Sequence, residues 1–418
     1  GGPDLFFQAL PDMVGIDLPG RFSFFFNGYG KMYDGNLPVA SKLYPHRYWS
    51  SPFFNDSVSD NIMSKLAGRE NNDWHLLYKT TWEISAKKKV SFSYDASMNI
   101  NQGYFMPRAF ASTYFPYRYM NILDNYNTIT RDTRLLNMNW THTLSNRSFY
   151  ELNVGRFTTM EHSAVQDLHW TEYQQRLDLE PINYNIDDTD LDGNIFITYG
   201  DEFYDTGFAP EWYDLSSENT RMDIDWTIHT QSGHKLKTGF EHTITDIQVL
   251  DIDEPWSGSS GFGANYDYYN AKTYFGAFYL QDRIIFEGMT LNIGFRNDYW
   301  IPGRYVEDAI SDTSSIIITD KARDLFQKET FDFPWFGNPY KMKARLSPRF
   351  GISHPITDND VLYFYYGHFS QLPTFQYVYA KINSKAQSTY QVFGNPNLNP
   401  KTTVQYELGV KHRFSEDQ

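Results

Sequence analysis

The sequence predicts an all-β fold, an antiparallel transmembrane β-barrel, from three observations. Apolar and polar residues alternate with period two over runs of about ten residues. The runs come in pairs, each closed by a short turn and separated from the next by a long loop. Rings make up 18% of a chain that is otherwise polar, with 21% charged residues and a mean hydropathy of -0.56. A membrane barrel reconciles these, because only every second strand residue faces lipid, aromatic girdles sit at both interfaces, and lumen and loops stay polar. No apolar run approaches the roughly 20 residues of a membrane-spanning helix, and Gly1 to Leu5 lacks the basic and apolar regions of a signal peptide.

Taken in order, strands are expected near 21–29, 73–84, 90–101, 132–144, 148–158, 219–230, 235–247, 273–285, 289–300, 342–354, 360–371 and 404–411. The alternation is clear in Val90, Phe92, Tyr94, Ala96, Met98 and Ile100 against Ser91, Ser93, Asp95, Ser97 and Asn99. It recurs where Met222, Ile224, Trp226 and Ile228 interleave with Arg221, Asp223, Asp225 and Thr227. Leu291, Ile293 and Phe295 likewise oppose Asn292, Gly294 and Arg296, and Val404, Tyr406, Leu408 and Val410 oppose Thr403, Gln405, Glu407, Gly409 and Lys411. Paired strands turn at Ser85-Ala86-Lys87-Lys88-Lys89, Ser145-Asn146-Arg147, Gln231-Ser232-Gly233, Glu287-Gly288 and Pro355-Ile356-Thr357-Asp358. Between pairs the loops span about 102–131, 159–218, 248–272, 301–341 and 372–402. Short turns on one side and long loops on the other are the pattern of outer-membrane barrels, with the turns periplasmic and the loops extracellular. A soluble β-sandwich also alternates, so the loop asymmetry is what separates the two; no fixed repeat supports a propeller.

A net charge of -15 argues against a nucleic-acid surface, which wants a basic stripe. Without cysteine there is no disulfide framework, thiolate site or cysteine nucleophile. Nucleophile-elbow, zinc-helix and phosphate-loop patterns are missing from the sequence, so no catalytic residues are assigned and an enzyme is not expected. No cofactor is required by the sequence.

One loop invites a cation. Asp188, Asp190, Asp192 and Asn194, with Gly193 in the run, match the first half of an Asp-x-Asp-x-Asp-Gly calcium loop, where alternate carboxylates converge on a hard cation. Tyr199 stands where the bidentate Glu belongs, so late ligands would come from Asp201, Glu202 or Asp205; the competing reading is a solvated acidic loop. Long loops are also ring-rich. Tyr114, Phe115, Tyr117 and Tyr119 in one, and Trp335 and Phe336 in another, are candidate substrate-binding residues able to stack on a ligand. They serve equally to pack loops together and top up the outer girdle.

Three stretches carry a family resemblance. Gln281-Asp282 closing the run 274–282, followed by Leu291-Asn292-Ile293-Gly294-Phe295-Arg296-Asn297-Asp298, resembles two strands of TonB-dependent receptor barrels. Leu346-Ser347-Pro348-Arg349-Phe350-Gly351 and then Tyr365-Tyr366-Gly367-His368-Phe369-Ser370 is similar to that family's next hairpin. Gly394-Asn395-Pro396-Asn397-Leu398-Asn399-Pro400 leading into Tyr406-Glu407-Leu408-Gly409 looks like its following loop and strand, with Lys401 where Glu is usual. Together they run in family order over roughly 274–415, and the earlier chain resembles the variant found in Bacteroidota.

The resemblance implies an outer-membrane importer of a siderophore, glycan, peptide or similar nutrient. It implies partners: outer-membrane lipid, the TonB protein of an inner-membrane energising complex, and surface lipoproteins or other complex subunits. Such barrels close at ~22 strands around a plug, and neither a plug nor an aromatic-terminated last strand is recognisable here. Residues 1–418 are therefore expected to be part of a single barrel domain whose plug and C-terminal strands lie outside this sequence. A barrel that binds or assembles at the surface without transporting is the alternative, and a soluble glycan-binding β protein is a third.

Overall fold

The computed structural model describes residues 19–31, 72–101, 119, 122, 125–177, 183–186, 195–198, 204–258, 261–315, 317–335, 338–382 and 393–414. Its strands are β1 (Arg21–Lys31), β2 (Asn72–Ser85), β3 (Lys88–Asn101), β4 (Thr128–Ser145), β5 (Ser148–Ala164), β6 (Asn183–Ile186), β7 (Ile195–Thr198), β8 (Glu211–His229), β9 (His234–Asp253), β10 (Asn265–Phe286), β11 (Met289–Ile301), β12 (Phe331–Trp335), β13 (Asn338–Pro355), β14 (Asp360–Gln371) and β15 (Lys401–His412). Twelve of them form one antiparallel path, β1-β2-β3-β4-β5-β8-β9-β10-β11-β13-β14-β15, with β12 paired to β13 beside it and β6-β7 a separate hairpin. Each expected strand has its counterpart on that path.

Turns 86–87, 146–147 and 287–288 have two residues each, and 230–233 and 356–359 have four. At the tightest, Glu287 and Gly288 both take left-handed φ, 45° and 80°, as a hairpin turn must to match strand twist. At the other end the strands outrun the sequence expectation. β9 and β10 have 20 and 22 residues, more than the 9–11 or so that a bilayer requires, so their upper halves rise beyond the lipid and shorten the loop between them to 254–264. Tertiary pairing, not local pattern, sets where these strands stop.

Register gives the wall its two faces. Val90 lies opposite Trp82 on one neighbour and Trp140 on the other, Phe92 opposite Thr80 and Met138, and Tyr94 opposite Tyr78 and Leu136. The apolar row continues through Leu152 and Ile224 to Phe240 and Phe278, and on the far strands through Ile293, Phe350, Tyr366 and Tyr406. Because the side-chain period is two, every strand must hold this register or turn its greasy set inward. Trp82, Trp140, Tyr150 and Trp226 cluster near the turns, where amphipathic rings suit a membrane interface; Phe22 stacks on Trp82 at 5.2 Å.

The buried cores sit at the loop end, on opposite faces of the same strands. On the polar, lumen-facing side, Trp300, Val249 and Tyr269 pack with α1 (Arg304–Ser311), α2 (Asp320–Glu329) and the single turn α3 (Gln376–Tyr379) through Val306, Phe326 and Tyr379. On the other side, Trp212 and Ile252 pack with Val165, Tyr173, Tyr204 and Tyr119 from neighbouring loops. Helices in the 302–337 loop were not foreseen in the sequence. None of the described helices is long and apolar enough to cross a membrane.

Candidate binding site in the lumen and loops

The lumen face of β8 to β13 carries a charged row. Asp223, Glu241, Ala277, Asp298 and Arg345 are register partners in succession across five strands. One row nearer the turns, Arg296 reaches across β10 to Glu241 in a bidentate pair, Nη1 to Oε1 at 2.9 Å and Nη2 to Oε2 at 2.8 Å. Its Nε also donates to Asp298 at 2.7 Å. The crossing is possible because the intervening residue is Ala277, fully buried beneath it; a larger side chain would stand in the way. Arg221 donates to Asp223 at 2.8 Å and lies 3.8 Å from Glu241, and Lys237 lies 3.6 Å from Asp225. Such bidentate, charge-assisted pairs fix geometry as well as charge.

One row nearer the loops, Arg221, Thr243, Phe275, Trp300 and Lys343 are register partners. Lys343 is buried, and its Nζ donates to the carbonyls of Asn397 at 3.2 Å and Leu398 at 3.1 Å and to Oδ1 of Asn399 at 2.9 Å. It ties the descending limb of the last loop to the wall. The same limb meets α2, since Asn397 donates to the Ala322 carbonyl and Asn399 to Glu329, both at 2.9 Å. Between the two rows and the cap opens a groove of about 800 Å³, lined by Arg221, Glu241, Arg296, Trp300, Lys343 and Arg345 among others, within the size range of small-molecule sites.

The helical cap is seated by its own chemistry. Pro302 and Gly303 turn the chain off β11; Gly303 has φ 95°, and a Cβ there would collide with the Lys272 carbonyl. Tyr379 donates from its hydroxyl to the Pro302 carbonyl at 2.9 Å. Lys381 follows α3, buried and in left-handed conformation with φ 52°. Its ammonium lies over the Tyr266 ring, 5.5 Å from the centroid. Burial lowers its pKa, against the opposing pull of Asp267 and Asp251.

Of the candidate residues, Tyr119 is fully buried in the outer loop core and donates to the Phe208 carbonyl at 3.3 Å. Burial pushes its hydroxyl up to about 12; its ring packs loop against loop and is not exposed to a ligand. Tyr114, Phe115, Tyr117, Phe336 and the side chain of Trp335 fall outside the described residues. Asp188, Asp190, Asp192 and Asn194 belong to the connection between β6 and β7, whose ends Ile186 and Ile195 are paired; these four, with Asp201 and Glu202, also lie outside the described residues. Asp205 is described, half-buried, its amide donating to the Leu177 carbonyl at 3.0 Å. Among the described residues no group of three or more His, Asp or Glu is arranged to hold a metal ion. The residues missed in the sequence were Lys343 and Arg345. Both share parity with Arg349, opposite the lipid-facing Leu346, so strand phase alone would have placed them on the lumen side.

The family model "TonB dependent receptor-like, beta-barrel" covers residues 8–418. Among solved structures, the chain is similar to the alcaligin outer membrane receptor FauA from Bordetella pertussis, with 12% identity, a TM-score of 0.46, and 83% of this chain and 41% of that one covered. It is also similar to the FrpB iron transporter from Neisseria meningitidis, with 9% identity, a TM-score of 0.47 and coverage of 82% and 44%. For the ferric-catecholate import receptor Fiu from E. coli K12 the figures are 15%, 0.44, 83% and 49%. The chain thus spans two fifths to one half of these receptors' lengths. No curated protein matches. With the family model running through the strands, the lumen wall and both loop assemblies, this chain belongs to the TonB-dependent receptor-like β-barrel family.

Proposed function

We propose that this chain is the wall and extracellular face of an energised outer-membrane importer. The observation that carries the reading is the two-faced wall: a lipid-facing apolar belt in continuous register, backed by a lumen face of interlocked charges under a folded loop cap. A lumen of this kind offers a solute a polar path and holds its own charges in fixed pairs. In the family pattern a plug fills that lumen and the inner-membrane TonB system pulls it aside. The nutrient is captured first at the loops, where Tyr114, Phe115, Tyr117, Trp335 and Phe336 are the proposed stacking residues; a siderophore, glycan or peptide all suit such rings. Surface lipoproteins or further subunits are proposed partners at the loop face.

The test is uptake by cells carrying the full-length gene, with and without a functional TonB system. Accumulation of a nutrient that needs both supports import. Surface binding that persists while uptake is independent of TonB would favour the non-transporting barrel.

Calcium in the acidic loop is a separate part of the proposal. Asp188, Asp190, Asp192 and Asn194, with late ligands from Asp201, Glu202 or Asp205, would bind the ion with oxygen ligands alone. Calorimetry with calcium should give binding heat for wild type and a much reduced signal for Asp190→Ala; heat in neither protein removes the site.

A further inference from the structure

One amide is out of place on the lipid-facing belt. Asn297 follows the parity of Ile293 and Phe295 on β11, and its register partners are Phe278 on β10 and the lipid-facing Leu346 on β13. Phe278, Phe295 and Leu346 are all exposed on that face. Three other polar residues of the belt find partners within the sheet. Thr80 donates to the Ser23 carbonyl at 3.3 Å, Thr238 donates to the Tyr279 carbonyl at 2.9 Å, and His242 shares a hydrogen bond with Tyr299 at 2.6 Å. Among the described residues the Asn297 side chain makes no hydrogen bond. Its chain neighbours Arg296 and Asp298 lie on the lumen face and pair with each other at 2.7 Å, so neither can serve it. Hydrocarbon offers an amide no hydrogen bond, and this side chain is too short to snorkel to the headgroups as a lysine or arginine does.

The surface around Asn297 suits the close approach of another wall. Tyr299 leans across Gly276 to reach His242, and a Cβ on Gly276 would collide with its hydroxyl. On the other side of Tyr299 stands Ala344, small and exposed. Small residues let membrane-embedded backbones come together, and polar side chains there hydrogen-bond across the contact. None of Phe278, Phe295, Tyr299, Ala344, Leu346 and Pro348 carries a charge, so two like faces meet without repulsion. An amide is also its own complement, since its N–H donates where its carbonyl accepts. Two copies of one barrel cross the membrane in the same sense, so a two-fold axis between them lies along the membrane normal and keeps every residue at its depth. Asn297 of one copy can therefore face Asn297 of the other, in the isologous contact that such an axis makes.

We propose that the β10-β11-β13 face of the belt is an interface between two copies of this chain, with Asn297 paired to Asn297 of the second copy by amide hydrogen bonds across the two-fold axis. Such a dimer requires the lipid-facing register of the wall but not import.

Cross-linking and sedimentation of the full-length protein test it, in a background free of other cysteines; this chain contributes none. In intact outer membranes under a mild oxidant, Asn297→Cys should give a disulfide-linked species of twice the monomer mass. Leu346→Cys, which leaves the amide in place, should be joined likewise by a short bis-maleimide. Phe92→Cys, on the same belt at β3, should stay monomeric under both reagents. In detergent, wild type should sediment as a dimer, and Asn297→Leu should raise its dissociation constant about fivefold or more, as expected for polar contacts between membrane segments. Asn297→Gln, which keeps the amide, should fall between. Heat-modifiable gel migration reports that each variant is folded, and if Asn297→Leu is not, Asn297→Gln and the cross-links decide. A monomeric wild type, no more cross-linking at 297 and 346 than at 92, or an unchanged dissociation constant in Asn297→Leu overturns the dimer. So does a cross-linked species of any other mass, which would mean that a different membrane protein covers this face.

Discussion

On the lipid belt Phe92 keeps 38% of its surface exposed and Leu408 72%, while at the loop end of the same sheet Trp300 and Phe326 keep 1% each. The two regions share strands but not a source of stability. In the belt, apolar side chains touch only their neighbours on the same face and are otherwise satisfied by hydrocarbon, so what the protein supplies is register and the hydrogen-bond ladder between strands. Above the membrane the same strands stand in water, and there the chain buries rings against helices and loops as a soluble domain does. Lower in the wall, Ala277 is buried beneath the Arg296–Glu241 pair that crosses β10, and not by a greasy core. Mutations should therefore obey different rules in the two regions.

The largest effect is expected in the cap. Phe326→Ala removes a buried ring from α2 and should cost about 3–5 kcal/mol of local stability. It should appear as faster proteolysis within 302–337 and 372–400, with the barrel still resistant to SDS at room temperature. If the barrel melts with the cap, the two regions are one cooperative unit and do not draw their stability from different sources.

In the belt the size of a substitution's effect should depend on parity. Phe92→Arg or Leu408→Arg puts a charge at the lipid face at a cost of roughly 2–4 kcal/mol and should impair membrane assembly. Ser93→Arg and Gln405→Arg, one residue away and facing the lumen, should do so far less. Quantifying folded protein in outer-membrane fractions checks both, and equal effects on the two faces would refute the register.

Much of this wall could be read from the sequence. Period-two runs such as Val90 to Ile100 carry their own phase, and tight turns such as Glu287-Gly288 mark where a pair closes, so twelve strands are legible in the sequence. The caps could not be placed in the same way. Val306, Ala309 and Ile310 in α1 make a short helical face within a long polar loop, and what they pack on, Trp300 and Tyr379, lies on another strand and another loop. The groove was hidden for a related reason. That Asp298 pairs with Arg296 and not with its register partner Arg345 is a competition between strands that no single segment shows.

A smaller effect is expected at the join between the regions. Lys343→Met keeps the length of the side chain but leaves the acceptors of Asn397, Leu398 and Asn399 without their donor, and a buried acceptor left unmet costs about 1–3 kcal/mol. Amide exchange at 393–400 should rise while the strands β13 and β14 keep their protection. Unchanged exchange would mean that Asn397 and Asn399, through Ala322 and Glu329, hold that limb by themselves.

The smallest effect separates helix chemistry from burial inside the cap. Thr319 caps α2, its hydroxyl accepting the Ala322 amide at 3.2 Å, and Thr319→Ala should cost about 1 kcal/mol. Amide exchange over 320–329 should quicken about fivefold, since 1.4 kcal/mol is a factor of ten in an equilibrium. Exchange near Trp300 should stay as it was, because that ring is fixed by the wall. If Thr319→Ala loosens α1 and the last loop as much as Phe326→Ala does, the cap is held by the order of its helix start and not by its buried rings. The wall would then be the only part of the protein whose stability comes from its surroundings.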